Sequence, residues 1–95
     1  MRKYEVMYIV NASLEDAARQ ATIEKMHGVL TNNGATIVNV DEKGLQEFAY
    51  PIENMKKGYY VVTTFDAEND ALKEFERLMR IESGIVRFLI TKVEA

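Results

Sequence analysis

Residues 44–60, GLQEFAYPIENMKKGYY, decide the fold that we predict for this chain. Phe48 and Tyr50 favour a pleated, half-buried strand, and residues 53–58 have the polar and glycine content of a connecting loop. The stretch therefore predicts one long β-hairpin. Pro51 is the only proline in the chain, and it cannot donate a hydrogen bond to a ladder. The strand that carries it should lie at a sheet edge, where its backbone is available to a partner.

An edge strand rich in aromatic residues carries a risk of aggregation unless another molecule covers it. We therefore predict an interaction protein before an enzyme. A chain of 95 residues can bury one hydrophobic core but not two, so we expect residues 1–95 to form a single domain.

The composition excludes several classes of protein. With a formal net charge of −3, the chain lacks the positive field that drives most nucleic-acid binding, so binding to RNA requires a local basic patch or a basic partner. The absence of cysteine and the single histidine, His27, argue against a metal site and a catalytic triad. No apolar run approaches the roughly 20 residues that span a bilayer, and the start does not resemble a signal peptide. These features predict a cytoplasmic protein.

The first strand is predicted at residues 2–10, RKYEVMYIV, where two partly apolar sets of side chains alternate. That pattern is typical of a central strand, with one set facing helices and the other forming the second sheet face. The set that we expect to face the helices consists of Tyr4, Val6, Tyr8 and Val10.

Two helices are predicted from apolar residues at helical spacing. Ser13 begins a capping-box pattern before the first helix, which should end at Asn33 and Gly34. Residues 66–70 supply the start of the second helix, which should end at residues 83–84. The apolar stripes are Ile23, Met26, Val29 and Leu30 in the first helix and Leu72, Phe75, Leu78 and Met79 in the second.

Three further strands complete the chain. Residues 35–40 form a strand that residues 41–44 interrupt, either as a bulge or as a turn, and we prefer the bulge because it gives a simpler four-stranded sheet. Residues 59–65, YYVVTTF, should form a central strand. Residues 85–93 form the last strand, with Val86 and Phe88 on one face and Ile85 and Arg87 on the other.

The order βαββαβ with right-handed crossovers predicts an α+β, ferredoxin-like split βαβ sandwich. In this fold a four-stranded antiparallel sheet carries two helices on one face, and its other face is open.

Segments along essentially the whole chain resemble the bacterial ribosomal protein S6 family of the small subunit. They are the opening RKYEVMYIV, the turn NNGA, the hairpin segment AYPI and the close RIESGIVRFLITK. The resemblance implies a ferredoxin-like fold, no catalysis and no cofactor. It also implies binding to the central domain of small-subunit ribosomal RNA, jointly with the basic ribosomal protein S18 as heterodimer partner. The isolated chain is expected to be a monomer.

The resemblance also implies roles for basic residues. Arg2 and Arg87 match the family's basic residues at the sheet margin, where guanidinium groups can bind phosphates. Lys92 and Lys3 are assigned to RNA with them. A structural alternative for Arg87 is an ion pair with Glu5 across the open face.

The hairpin supplies the candidates for docking the partner protein, because aromatic rings give contact area at a small entropy cost. Alternation along the strands could instead direct half of them into the core. The chain departs from many relatives in carrying Gln46 and Glu47 where they carry basic residues. Glutamate repels phosphate, so partner docking is the better interpretation of this strand than RNA contact. The candidates are Phe48, Tyr50, Ile52 and Tyr60.

Two alternatives belong to other classes. Residues 57–62, KGYYVV, partly match the RNP1 pattern of RNA-recognition motifs, which stack bases on aromatic side chains of the sheet. The match fails at the later aromatic positions of that pattern, which are Val61 and Thr64 in this chain. A dimeric α+β barrel enzyme would enclose a small ligand between two sheets, with His27 as a base or haem ligand. We expect His27 to be a helix-flank residue near solvent instead.

Overall fold

A computed structural model describes residues 1–52 and 55–93, and for residues 49–52 and 55 it describes the backbone alone. The chain forms four strands and two helices in the predicted order. They are β1 (Arg2–Asn11), α1 (Asp16–Asn32), β2 (Thr36–Ile52), β3 (Met55–Ala67), α2 (Asn69–Ile81) and β4 (Ile85–Lys92).

The four strands form one antiparallel sheet in the order β2-β3-β1-β4, which confirms the ferredoxin-like split βαβ sandwich. The strongly β-forming segment, residues 59–65, lies in the central strand β3. Pro51 lies in β2, which is an edge strand as predicted, so its missing donor removes no hydrogen bond from the sheet interior.

The hydrophobic core lies between one face of the sheet and the two helices. The predicted alternation in β1 is confirmed, since its even-numbered apolar residues are buried. Phe65 of β3 and Phe75 of α2 are both fully buried, with ring centroids 5.6 Å apart. Neither helix in the described part of the chain combines the length and the apolar character that crossing a membrane requires.

The predicted capping box before α1 is wrong. The helix begins at Asp16 with Glu15 as its N-cap, and no side chain caps it. The hydroxyl and the backbone N–H of Ser13 both donate to Oδ1 of Asn11, at 2.7 and 2.9 Å. Because this local turn uses the serine, Ser13 is not available to the helix. The other end agrees with the prediction, with Gly34 in the left-handed region at φ 85°.

Residues 41–44 form a bulge within one long strand, as preferred above, and the alternative of a turn is wrong. The pairing of β2 with β3 shifts between Glu42 and Gly44, and Gly44 has φ 85°. A residue without a Cβ adopts this backbone without strain, which lets β2 continue past the bulge to Ile52.

The hairpin connection is shorter than residues 53–58. Lys57 and Gly58 already belong to β3, where they lie opposite Glu47 and Gln46 of β2. The oppositely charged pair of Glu47 and Lys57 suits cross-strand pairing. Pairing between the strands therefore extends the ladder into residues whose composition alone suggested a loop.

The predicted faces of β4 are wrong at its start. Arg87 lies opposite Ile9 and Ile85 lies opposite Val10, so Val86 is an extra residue at a register shift. A bulge of one residue reverses the side to which the preceding side chain points. Ile85 therefore packs against the helix-facing core instead of lying on the open face.

Candidate functional site

The sheet face opposite the helices carries a contiguous apolar area, which we call the open-face patch. The register places Val62 and Leu89 on either side of Met7, and Tyr60 beside Ile9. Met7 is 39% exposed and Leu89 is 58% exposed, so the isolated chain leaves apolar surface in water. Such an exposed apolar area is typical of an interaction surface. The open-face patch consists of Met7, Ile9, Phe48, Tyr60, Val62 and Leu89.

The centre of the open-face patch is closely packed over Gly58. The rings of Phe48 and Tyr60 meet edge to face, with centroids 6.1 Å apart. A Cβ atom built at Gly58 would lie 2.3 Å from Cγ2 of Ile9 and 2.7 Å from Cζ of Phe48. Phe48 and Tyr60 therefore lie together on the open face, and neither points into the helix-facing core. The side chains of the other two predicted docking residues, Tyr50 and Ile52, lie outside the described residues.

Arg87 lies at the margin of the open-face patch, opposite Ile9. The alternative that it pairs with Glu5 is wrong, because Glu5 lies opposite Thr91, further along β4. Arg87 is exposed, and among the described residues it takes part in no ion pair. Its guanidinium is therefore available to an external anion.

The other three predicted RNA residues lie at the opposite end of the sheet. Lys3 is on the open face opposite Asp66, whereas Arg2 lies opposite Ala67 on the helix-facing side. Lys92 lies opposite Tyr4 and shares that side. The structure therefore does not bring the four predicted residues into one cluster on the open face.

A groove between α2 and β4, the α2–β4 groove, contains a basic residue that was not among the predicted ones. One depression of about 440 Å³ is lined by Met79, Arg80, Arg87 and Phe88, among others. A second, of about 530 Å³, contains Arg80, Phe88 and Lys92 in its lining. Because Arg80 and Phe88 line both, the two depressions adjoin each other. The sequence signal for Arg80 was its helical spacing from Leu72 and Glu76, which line the same groove.

His27 lies in a polar cluster on the helix side of the sheet. Its Nε2 is 3.2 Å from the hydroxyl of Tyr8 and 3.2 Å from the hydroxyl of Thr63. Burial lowers the pKa of His27 below its usual value. His27 is half-buried, so the predicted position near solvent holds only in part. It follows Ile23 by one helical turn and so turns partly toward the sheet. It does not line the open face, where a dimeric barrel would enclose its ligand.

The adjacent tyrosines of β3 face opposite ways. Tyr59 lies on the helix side, where its hydroxyl donates to Glu42 at 2.8 Å and the guanidinium of Arg19 lies 4.2 Å from its ring centroid. The hydrogen bond to Glu42 raises the pKa of Tyr59. Along β1 and residues 56–67 of β3, Tyr60 is the only aromatic side chain on the open face. One ring on the two central strands is a poor platform for stacking successive bases.

The chain matches the family model described as Ribosomal protein S6 over residues 3–92. It is similar to the small ribosomal subunit protein bS6 of Halalkalibacterium halodurans at 49% identity and to that of Exiguobacterium sibiricum at 47%. Each of these matches runs over 94 residues and covers 99% of both chains. It is also similar to the crystal structure of 30S ribosomal protein S6 from Thermotoga maritima, with a TM-score of 0.92 and 26% identity. That match covers 97% of this chain and 87% of the other.

Proposed function

The chain belongs to the ribosomal protein S6 family, and from that premise we propose that it is a structural constituent of the small ribosomal subunit in the cytoplasm. In this proposal it binds the central domain of small-subunit ribosomal RNA together with the basic ribosomal protein S18. The two proteins form a heterodimer that supports subunit assembly and translation, and the chain performs no catalysis. The family match over residues 3–92 supports the ribosomal role.

The open-face patch is the observation that supports binding of a protein partner. Two aromatic rings in edge contact, with Ile9 beside them, form the kind of rigid centre on which binding energy concentrates at protein interfaces. Met7 and Leu89 extend this centre as exposed apolar surface. A protein partner that covers the open-face patch removes this surface from water.

Charge supports a basic protein as that partner. The chain has a formal net charge of −3, so it gains little from counterion release when it approaches RNA alone. A basic partner is attracted to the acidic chain and adds its own phosphate contacts to those of the chain. The net charge of the chain therefore supports joint binding with a basic protein.

The test is binding of a central-domain ribosomal RNA fragment, with and without S18, over a series of salt concentrations. We expect little binding by the chain alone and tight binding by the two proteins together. Arg87→Ala should reduce the magnitude of the salt slope by about one phosphate contact. If S18 makes no difference to RNA binding, the proposed joint function is wrong.

A further inference from the structure

We propose that the α2–β4 groove binds the RNA sugar-phosphate backbone and that Arg80 is a further phosphate-contacting residue. The inference rests on the proposed function, because it names the part of the chain that contacts the same ribosomal RNA. Arg80 lines the same depression as Lys92, a predicted RNA residue on the helix-facing side.

The groove brings basic residues of two elements together on the helix-facing side. Lys92 of β4 lies opposite Tyr4 of β1, and Arg80 of α2 lines the same depression as both. Tyr4 also lines a neighbouring depression that contains Arg2. Arg87 lies on the open face and does not belong to this group. Cations in two adjoining depressions suit successive phosphates better than one isolated anion.

The charges of the groove favour RNA over the basic protein partner. Arg80 and Lys92 line it, against the single carboxylate of Glu76. This is a local positive excess on a chain whose net charge is −3. A basic partner is repelled from such a surface, whereas phosphates are attracted to it. The groove and the open-face patch therefore suit different binding partners.

The ion pair of Arg80 does not prevent phosphate contact. Arg80 bonds to Glu76 one turn earlier on α2, and its side chain is 65% exposed. An exposed pair at this helical spacing contributes little stability. A phosphate with two acceptor oxygens can therefore replace Glu76 as the partner of the guanidinium at little energetic cost.

Arg77 provides a matched control on the same helix. It is 60% exposed and is paired with Glu74 at 2.5 Å, but it is not among the residues that line the groove. Arg77→Gln and Arg80→Gln remove the same charge from the same helix, and each leaves one surface glutamate without its partner. Any difference between the two variants in RNA binding thus reports the position of Arg80 in the groove.

The experiment measures binding of the central-domain RNA fragment by the chain with S18, over a salt series, for the wild type and both variants. We expect Arg80→Gln to weaken binding on the order of tenfold and to reduce the salt slope by about one. Arg77→Gln should change neither quantity. Lys92→Gln provides a second variant, for which we expect the same direction as Arg80→Gln.

Three results would overturn the inference. Equal effects of Arg80→Gln and Arg77→Gln would show that only net charge matters, and the proposed function would stand. Weaker S18 binding by Arg80→Gln in the absence of RNA would make the groove a protein contact. No RNA binding by the wild type with S18 would overturn the proposed function together with the inference.

Discussion

The two faces of the sheet differ in what they contact, although they share the same strands. On the helix side Val6, Tyr8 and Val10 are completely buried, whereas Met7 between them is 39% exposed on the open face. The polar groups of the helix side also bond within the chain, as His27 does with Tyr8 and Thr63. Folding thus covers the helix side, and we propose that a partner covers the open face. Substitutions on the two faces should accordingly separate stability from affinity.

The largest expected effect is on the helix side. Phe75→Ala removes a fully buried ring that packs against Phe65, and it should reduce the free energy of unfolding by about 3–5 kcal/mol. Leu89→Ala on the open face removes a side chain that is 58% exposed and should change stability by less than about 1 kcal/mol. Urea denaturation of both variants measures this difference. Similar losses for the two would contradict the separation of the faces.

A second comparison uses two glycines. Gly58→Ala places a Cβ against Ile9 and Phe48, and the displacement should destabilise the chain by about 1–3 kcal/mol. Gly28 lies within α1 and has no atom within 4 Å of a Cβ added there, so Gly28→Ala should stabilise the chain by about 0.5–1 kcal/mol. Thermal or urea unfolding provides the measurement. A neutral Gly58→Ala would mean that the open-face patch is loosely packed.

Neighbouring tyrosines provide a third comparison, which concerns affinity for S18. Tyr60→Ala removes a ring from the open-face patch and should weaken binding by more than about 1 kcal/mol. Tyr59→Ala removes a ring that contacts Glu42 and Arg19 on the helix side, and it should leave affinity nearly unchanged. Calorimetric titration of both variants with S18 distinguishes them. A stronger effect of Tyr59→Ala would place S18 on the helix side of the sheet and would contradict the proposed partner surface.

The smallest expected effect is a pH dependence of stability from His27. Burial lowers its pKa in the folded chain, although the charges of Glu42 and Glu24 oppose the shift. The unfolded chain, with a histidine pKa of about 6.5, binds the proton first as the pH falls. The contribution of neutral His27 to the free energy of unfolding is therefore complete above the pKa of the unfolded chain. It is lost as the pH falls toward the lower pKa of His27 in the folded chain.

The measurement for His27 is urea unfolding between about pH 7.5 and pH 5.5, a range close to the histidine pKa. Carboxylates also titrate near the lower end of this pH range, but the wild type and His27→Gln have the same carboxylates. The stability of His27→Gln should consequently decrease less over this range. Parallel pH profiles for the two proteins would show that His27 does not titrate differently in the folded chain.

The sequence was sufficient to predict the order of elements, the edge position of Pro51 and the bulge that ends at Gly44. These depend on local properties, namely alternation, a missing donor and tolerance of positive φ. The face of Ile85 was predicted wrongly, because one extra residue in β4 changes the register. The alternative ion pair of Arg87 with Glu5 is not formed, because Glu5 lies opposite Thr91. A register shift depends on the neighbouring strand, and no pattern within β4 indicates it.

The candidate site was predictable to a similar degree. The aromatic content of the hairpin indicated Phe48 and Tyr60, but only the packing over Gly58 shows that both lie on the open face. Arg80 was missed because its position depends on how α2 lies along β4. The contacts of His27 were not predicted, because its two hydroxyl partners come from strands that are distant in sequence.

The difference between the two faces can be tested most directly with methyl-labelled chain titrated with S18 and observed by NMR. We expect the methyl signals of Met7, Ile9 and Leu89 to shift or broaden on binding. Those of Val6 and Val10, on the helix side of the same strand, should change little. Changes confined to the helix side, or equal on both faces, would contradict the proposal that a partner covers the open face.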